Sequence, residues 1–293
     1  MIEQPLVSAL GRGMSRGRFL VLAYHGVDDA ERFRAQLLSV LAHRRPIALD
    51  EVEETLVAGR ELPAGRFLVT FDDGRRSVLR TGLPVLRELD VPAALFVVAG
   101  LVDTAEPFWW DEVEARSLAG GTTSVAPGTG AQLVRAVKAV TDIDRRRALE
   151  ELRIATPDLE LGYPHLSSDE LIELDRSGVA IGSHSLTHPC LDRCGDDELR
   201  LELSESRQVL EAILGRSVRT LAYPNGNVDH RVVAASKDAG YRVGFAFDHR
   251  LAPRRPDPLL VPRVRVDPTN PQRRFESIVS GVHPAVHHLR GRA

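Results

Sequence analysis

RFLVTFDDGRRSVLRTGLPVLRELDVPAALFVV, residues 66–98, decides how this chain folds. It opens on an apolar, β-prone run (66–71) that stops at Asp72-Asp73-Gly74. A helical period follows over about 75–89, interrupted by Gly82 and Pro84, and a second apolar run occupies 92–98. Strand, helix, strand in this length implies parallel strands joined by a helical crossover.

The same alternation extends outward in both directions. Upstream, RFLVLAYH (18–25) reads as a buried strand ending in His25, and 30–44 as a helix. Asp50 is an expected N-cap for a helix over 51–59 that Gly59 ends. Downstream, Ser167 and Glu170 have capping-box spacing for a helix to about 177. VAIGSH (179–184), RTLAY (219–223), YRVGFAF (241–247) and LVPRVRV (260–266) read as strands. Helices are expected over 196–214 and 228–239, and a last one from near Pro271. About seven such units support a barrel, complete or not, with a doubly wound open sheet as the alternative. In either, chemistry belongs at the carboxyl ends of the strands.

Organisation weakens between 101 and 166. A Gly/Thr/Ser/Pro loop at 119–130 precedes an expected helix over 131–156. This segment reads as an insertion across one face of a single domain spanning 1–293, not as a domain of its own. Its start holds Trp109 and Trp110, the only tryptophans. They either stack on a sugar ring or anchor the insertion to the body.

Composition narrows the class. With 43% hydrophobic and 27% charged residues, the chain of 293 has material for a large core, which argues against wholesale disorder. A net charge of -3 argues against a nucleic-acid partner. Cys190 and Cys194 are too few for a disulfide scaffold and read as small buried or half-exposed thiols, with a place near a metal as the alternative. Met1 to Arg18 has no signal-like apolar core, and no stretch is long and apolar enough for a transmembrane helix. A cytoplasmic enzyme is therefore expected.

Two motifs carry chemistry. His184-Ser185-Leu186-Thr187-His188 places two imidazoles four apart just past a strand, where both can turn toward one cation. Alone, such a pair is as readily structural. Asp72-Asp73-Gly74 puts adjacent carboxylates at another strand end, costly if both are buried without a counter-charge. One can bind a metal while its neighbour faces water, and Gly74 permits a sharp turn. A solvated Asp-Asp-Gly turn is the plainer reading of that motif by itself. Together the two supply a His-His-Asp set with open positions, suited to hydrolysis.

These motifs resemble those of the NodB-homology polysaccharide deacetylases, carbohydrate esterase family 4. TFDDG (70–74) is similar to the family's first motif, HSLTH (184–188) to its second and RTLAYPNG (219–226) to a variant of its third. Tyr24-His25 resembles the YHxV start of a branch acting on exopolysaccharides. The likeness runs from about 19 to 268, with 101–166 poorly covered. It implies an α/β fold, a deformed (β/α)7 barrel with an inserted loop and helical segment, that removes N-acetyl, less often O-acetyl, groups from glycans. It further implies Asp72 as general base, and Asp73, His184 and His188 as ligands of one divalent ion. Zn²⁺ is expected first, with Fe²⁺, Co²⁺ or Ni²⁺ also compatible. The backbone turn at Tyr223 to Asn225 would donate to the oxyanion.

The chain departs from the family pattern twice. Ala222 stands where many members carry an arginine that orients the base, and Arg263 in PRVRV is the expected substitute. The family's late Leu-x-His motif is not evident, since His283, His287 and His288 lie in a segment unlike a strand. His25 is the expected general acid. The expected substrate is an acetylated amino sugar: a glycan, a nucleotide- or lipid-linked sugar, or a glycosylated metabolite. An acetyl esterase or other amidohydrolase on the same scaffold, and an inactive glycan-binding homologue, are the competing readings.

Overall fold

The computed structural model describes residues 18–267 and 269–280. The expectations for Met1 to Gly17 and for His283, His287 and His288 therefore lie outside the described residues. The strands β1 (Leu20–Tyr24), β3 (Arg66–Phe71), β4 (Ala93–Val97), β5 (Val179–Ser183), β6 (Thr220–Ala222), β7 (Val243–Phe245) and β8 (Val264–Arg265) lie in the order β7-β6-β5-β4-β3-β1-β8. All neighbours are parallel. A short β2 (Arg45–Pro46) pairs with β3 off this path.

The last segment closes the curl. Val261 bridges Phe245 of β7 in parallel, and three residues on, Val264 pairs with Leu22 of β1. One extended stretch thus bonds the last strand on one side and the first on the other. The result is a thinly closed, deformed barrel.

Pleating explains why the strands read as continuous apolar runs. Successive side chains point to opposite faces, and both faces are buried. Leu20, Leu22 and Tyr24 of β1, with Phe67, Val69 and Phe71 of β3, pack outward under the helices. Val21 and Leu68 pack inward with Ala94, Phe96, Ala222 and Phe245. Helix α2 (Leu49–Val57) adds Leu49, Val52 and Leu56 to that inner cluster. The inward parity of β1, β3 and β5, continued past each strand end, falls on His25, Asp72 and His184.

The outer helices follow the sequence closely. They are α1 (Ala30–Leu41), α3 (Leu83–Glu88), α7 (Ser168–Arg176), α8 (Asp196–Leu214), α9 (His230–Asp238) and α10 (Gln272–Val279). The Ser167/Glu170 capping box forms as expected. Asp50 is not an N-cap; the helix starts one residue before it, and Asp50 sits in its acidic first turn.

Within 101–166 the chain forms α4 (Trp109–Leu118), α5 (Ala131–Val137) and α6 (Asp142–Ala155). These three share a small core of their own, including Trp109, Val113, Leu133, Val137, Leu149 and Leu152. The single helix expected over 131–156 is two. Thr141 caps the second by accepting from the Asp144 N–H, and Lys138 ends the first.

Candidate active site

The side chains that the two motifs supply meet at the carboxyl ends of the strands, in a cavity of about 450 Å³. Its wall includes His25, Asp72, Asp73, His184, His188, Trp110 and Asn225.

Adjacent carboxylates diverge here because the backbone turns between them. Asp72 keeps the inward parity of β3, whereas Asp73 has φ +71 and Gly74 φ +82. A Cβ on Gly74 would stand 3.1 Å from a Val97 methyl, so this turn is both left-handed and tight. Left-handed φ recurs at Ser185, His188 and Asn225. Such conformations cost on the order of 1–3 kcal/mol each and persist only where surrounding contacts impose them.

Asp72 belongs to Arg263. The Arg263 Nη1 and Nη2 donate to its two carboxylate oxygens at 2.7 and 2.8 Å. The guanidinium is fully buried, donates also to the Thr70 hydroxyl and the Ala246 carbonyl, and stacks 5.2 Å over the Phe247 ring. Burial alone would raise the Asp72 carboxyl, but the Arg263 charge, with help from His184, holds it below the usual carboxylate range.

Asp73 faces the imidazoles. Its Oδ1 lies 3.6 Å from Nε2 of His184 and 3.6 Å from Nε2 of His188. These distances are too long for hydrogen bonds. They match the spacing of about 3.3–3.6 Å between ligand atoms held about 2.0–2.2 Å from one tetrahedral ion. His184 is prepared for that role. Its Nδ1 donates to the Ala222 carbonyl at 2.7 Å, which leaves the Nε2 lone pair toward Asp73. Burial lowers the pKa of both imidazoles, well below the ordinary value for His188, which favours the neutral form that carries a free lone pair. Burial pushes Asp73 upward, His25 opposes the push and the Asp72 charge adds to it. A cation at this point would remove that penalty, so the residues present fit a divalent metal. Asp73, His184 and His188 would hold it.

The loop carrying His188 is held from two sides. Glu202 accepts from the Leu186 and Thr187 N–H groups at 2.9 Å each and from the Thr187 hydroxyl at 2.6 Å. The Trp109 indole N–H donates to the His188 carbonyl at 2.9 Å.

Two expected substrate contacts are corrected. Trp109 is buried in the insertion core with its N–H committed to that carbonyl, so it anchors the insertion and does not reach the cavity. Trp110 does line the cavity, its ring 4.4 Å from that of His188. Tyr223 follows the outward parity of β6. Its ring is fully buried, its hydroxyl donates to the Leu259 carbonyl and its N–H to the Phe245 carbonyl. It therefore has no donor for an oxyanion. Asn225 is the residue of that turn at the cavity.

His25 is half-buried at the end of β1 and lines the cavity. Burial lowers its pKa, with Asp73 and Asp72 opposing in part. Cys190 and Cys194 are buried free thiols, neither within the Asp73 ligand set.

Sequence reasoning missed Arg75, Lys138 and Arg265, which also line the cavity. Arg75 follows the Asp-Asp-Gly motif directly, and Arg265 shares the parity of Arg263, so both had a signal. Lys138 comes from the end of α5, and nothing in its local sequence marked it.

Comparison with known proteins bears on the family and the fold. Residues 59–244 match the Polysaccharide deacetylase family. The chain is 24% identical over 104 residues to YxkH of Bacillus subtilis, covering 36% of this chain and 37% of that protein. It is 28% identical over 98 residues to the poly-beta-1,6-N-acetyl-D-glucosamine N-deacetylase of Escherichia coli K12, covering 29% and 15%. The matched stretches thus span little more than a third of the first relative and less of the second. Among solved structures, IcaB from Ammonifex degensii shares the fold at a TM-score of 0.63 and 21% identity, over 91% of this chain and 97% of that one. With its first motif at Asp72-Asp73, its second at His184 and His188, and the family match spanning most of the barrel, the chain belongs to the polysaccharide deacetylase family.

Proposed function

We propose that the chain is a divalent-metal-dependent hydrolase that removes the N-acetyl group of an amino sugar and releases acetate. One observation carries this reading. Of two buried neighbouring carboxylates, Asp73 faces the imidazole pair while Asp72 is clamped by Arg263 and stays outside that set. A protein that only bound glycans would have no use for a carboxylate kept ionised beside a ligand triad.

A bound divalent cation would polarise the acetyl carbonyl and acidify water next to Asp72. Asp72, ionised by its pairing with Arg263, takes the proton of the attacking water. The oxygen of that water forms the new bond to the acetyl carbon. Backbone N–H donors can hold the resulting oxyanion. In the turn after β6, the Tyr223 N–H is spent on Phe245, Pro224 has none and the Gly226 N–H goes to the Tyr223 carbonyl. The Asn225 N–H is assigned this role. His25 gives a proton to the sugar nitrogen as the carbon–nitrogen bond breaks. Acetate and free amine leave, and both side chains return to their starting states by exchange with solvent.

Zn²⁺ is the first choice for a His₂Asp set, and Fe²⁺, Co²⁺ and Ni²⁺ suit the same donors. The test is acetate release by metal-loaded protein from N-acetylglucosamine oligomers and from acetylated xylan, side by side. Faster release from the sugar amides supports the proposal. Faster release from xylan assigns an esterase instead, and no acetate from either substrate rejects both.

A further inference from the structure

The cavity holds more positive charge than the proposed chemistry uses. Three cationic side chains outside the Asp72 pair line it: Arg75, Lys138 and Arg265. Arg75 has carboxylates within reach, Asp73 at 3.8 Å and Asp111 at 3.9 Å. Neither Lys138 nor Arg265 forms a close ion pair among the described residues, although the charges of Asp73 and Asp111 act on Lys138 and that of Arg265 acts on Asp267. Lys138 donates to the Asn225 side-chain carbonyl at 2.7 Å and stands 6.0 Å from the Trp109 and Trp110 ring centres. Arg265 lies over the Phe247 ring face, at 5.9 Å.

The carboxylates nearby are already engaged. Asp72 is paired with Arg263, and Asp73 belongs to the ligand triad. Asp267 accepts from the Thr269 N–H and hydroxyl on one oxygen. Asp28 is exposed at the rim. With Asp72 neutralised by Arg263, the lining leaves Arg75, Lys138 and Arg265 against Asp28, Asp73 and Asp267, so a divalent ion added at Asp73 would make the site net positive. Lys138 is half-buried, and an anion supplied by the substrate offsets its lost solvation; Arg265 is exposed at the cavity mouth, where the same anion would gain a charge-assisted hydrogen bond. The hydroxyls of a neutral sugar offer neither.

We propose that the substrate is an acetylated amino sugar bearing a phosphoryl group, and that Lys138 and Arg265 bind that group. A second cavity of about 360 Å³ adjoins, sharing Arg265 and Asp267 and adding Arg274. It gives room and a further cation for whatever the phosphoryl group links. The amino-sugar part of this inference rests on the deacetylase reading; the anion site does not.

The test uses the full chain loaded with Zn²⁺. Calorimetry compares glucosamine 1-phosphate with glucosamine, and acetate release compares N-acetylglucosamine 1-phosphate, a nucleoside-diphosphate-linked N-acetylglucosamine and a neutral N-acetylglucosamine oligomer. The wild type is expected to prefer the phosphorylated probe by about tenfold or more, equivalent to about 1.4 kcal/mol. Lys138→Gln and Arg265→Gln each reduce that preference, the double variant abolishes it and Lys138→Arg retains it. Bound Zn²⁺ and an unchanged melting temperature certify each variant as folded. Equal affinity for the charged and neutral sugars overturns the proposal. So does a preference that survives in the double variant, because the phosphoryl group would then sit on the metal. A monophosphate favoured over the nucleoside-linked sugar, or the reverse, identifies which source the site serves. Turnover of the neutral oligomer without phosphate preference sinks this inference and leaves the deacetylase reading intact. Phosphate-dependent binding with no acetate from any substrate does the opposite.

Discussion

Asp72 and Asp73 show how one peptide bond can separate two chemical roles. The left-handed φ at Asp73 turns it toward His184 and His188, while Asp72 remains with Arg263. Asp72→Asn is expected to keep bound metal and lose turnover by about 10²–10⁴-fold; elemental analysis beside an acetate assay checks both halves, and near-normal turnover would remove Asp72 from the chemistry. Arg263→Met leaves a buried carboxylate without its counter-charge, a change that typically destabilises by about 3–5 kcal/mol. Urea melts measure it. The pH dependence follows from the same groups. As the proposed base, Asp72 works above its pKa, which is held low, so the acid limb of activity is expected below the usual carboxylate range. As the proposed acid, His25 works below its pKa, which burial lowers, so the alkaline limb is expected below the ordinary imidazole value. The optimum is therefore on the acid side of neutrality, and His25→Gln should erase the alkaline limb. Motif residues were readable because type and spacing alone name them. Tyr223 was misread because the motif does not say which way a pleat points, and Lys138 because its neighbour Asn225 is 87 positions away in the chain.

The inward parity of β1, β3 and β5 brings His25, Asp72 and His184 to the site, so the pleat sets this part of the geometry before any loop does. That much followed from the alternation of apolar runs and helices. Helix α4 did not, because its buried face includes Glu112 and Ser117 as well as Trp109 and Val113, which blurs the apolar period. Glu112 is accommodated by Arg116 and Arg153, ion pairs no local pattern announces. The break between α5 and α6 depends on the Thr141 cap, which a long apolar window overrides. The insertion reaches the loop of His188 through one hydrogen bond, Trp109 to the His188 carbonyl, and through the Trp110 ring packed on the imidazole. Trp109→Phe keeps most of the packing and removes that donor. Loss of a group supporting a ligand commonly costs about 10–100-fold in metal affinity, and a chelator competition titration with Zn²⁺ is expected to fall in that range. An unchanged affinity would make the bond incidental.

Across the whole molecule, a ligand set drawn from β3 and from the loop after β5 means that a cation would join two parts of the ring. Binding to the folded state alone stabilises it, by about 2.7 kcal/mol when the ion is at 100 times its dissociation constant. Excess Zn²⁺ should therefore raise the melting temperature of the wild type and leave that of His184→Ala unmoved; an equal rise in both would place the ion elsewhere. The ring itself was legible as seven repeating units, but its closure was not. Val261 and Val264 are ordinary apolar residues whose bonds to β7 and β1 depend on the curl of everything between. That closure has a consequence for synthesis. Asp72 leaves the ribosome 191 positions ahead of the arginine that neutralises it. Until the final segment emerges, the nascent chain carries a carboxylate destined for the interior with no cation to meet it. The proposed proton acceptor thus gains its counter-charge only with the last turn of the assembly, and a product truncated before residue 261 is expected to be both unstable and inert.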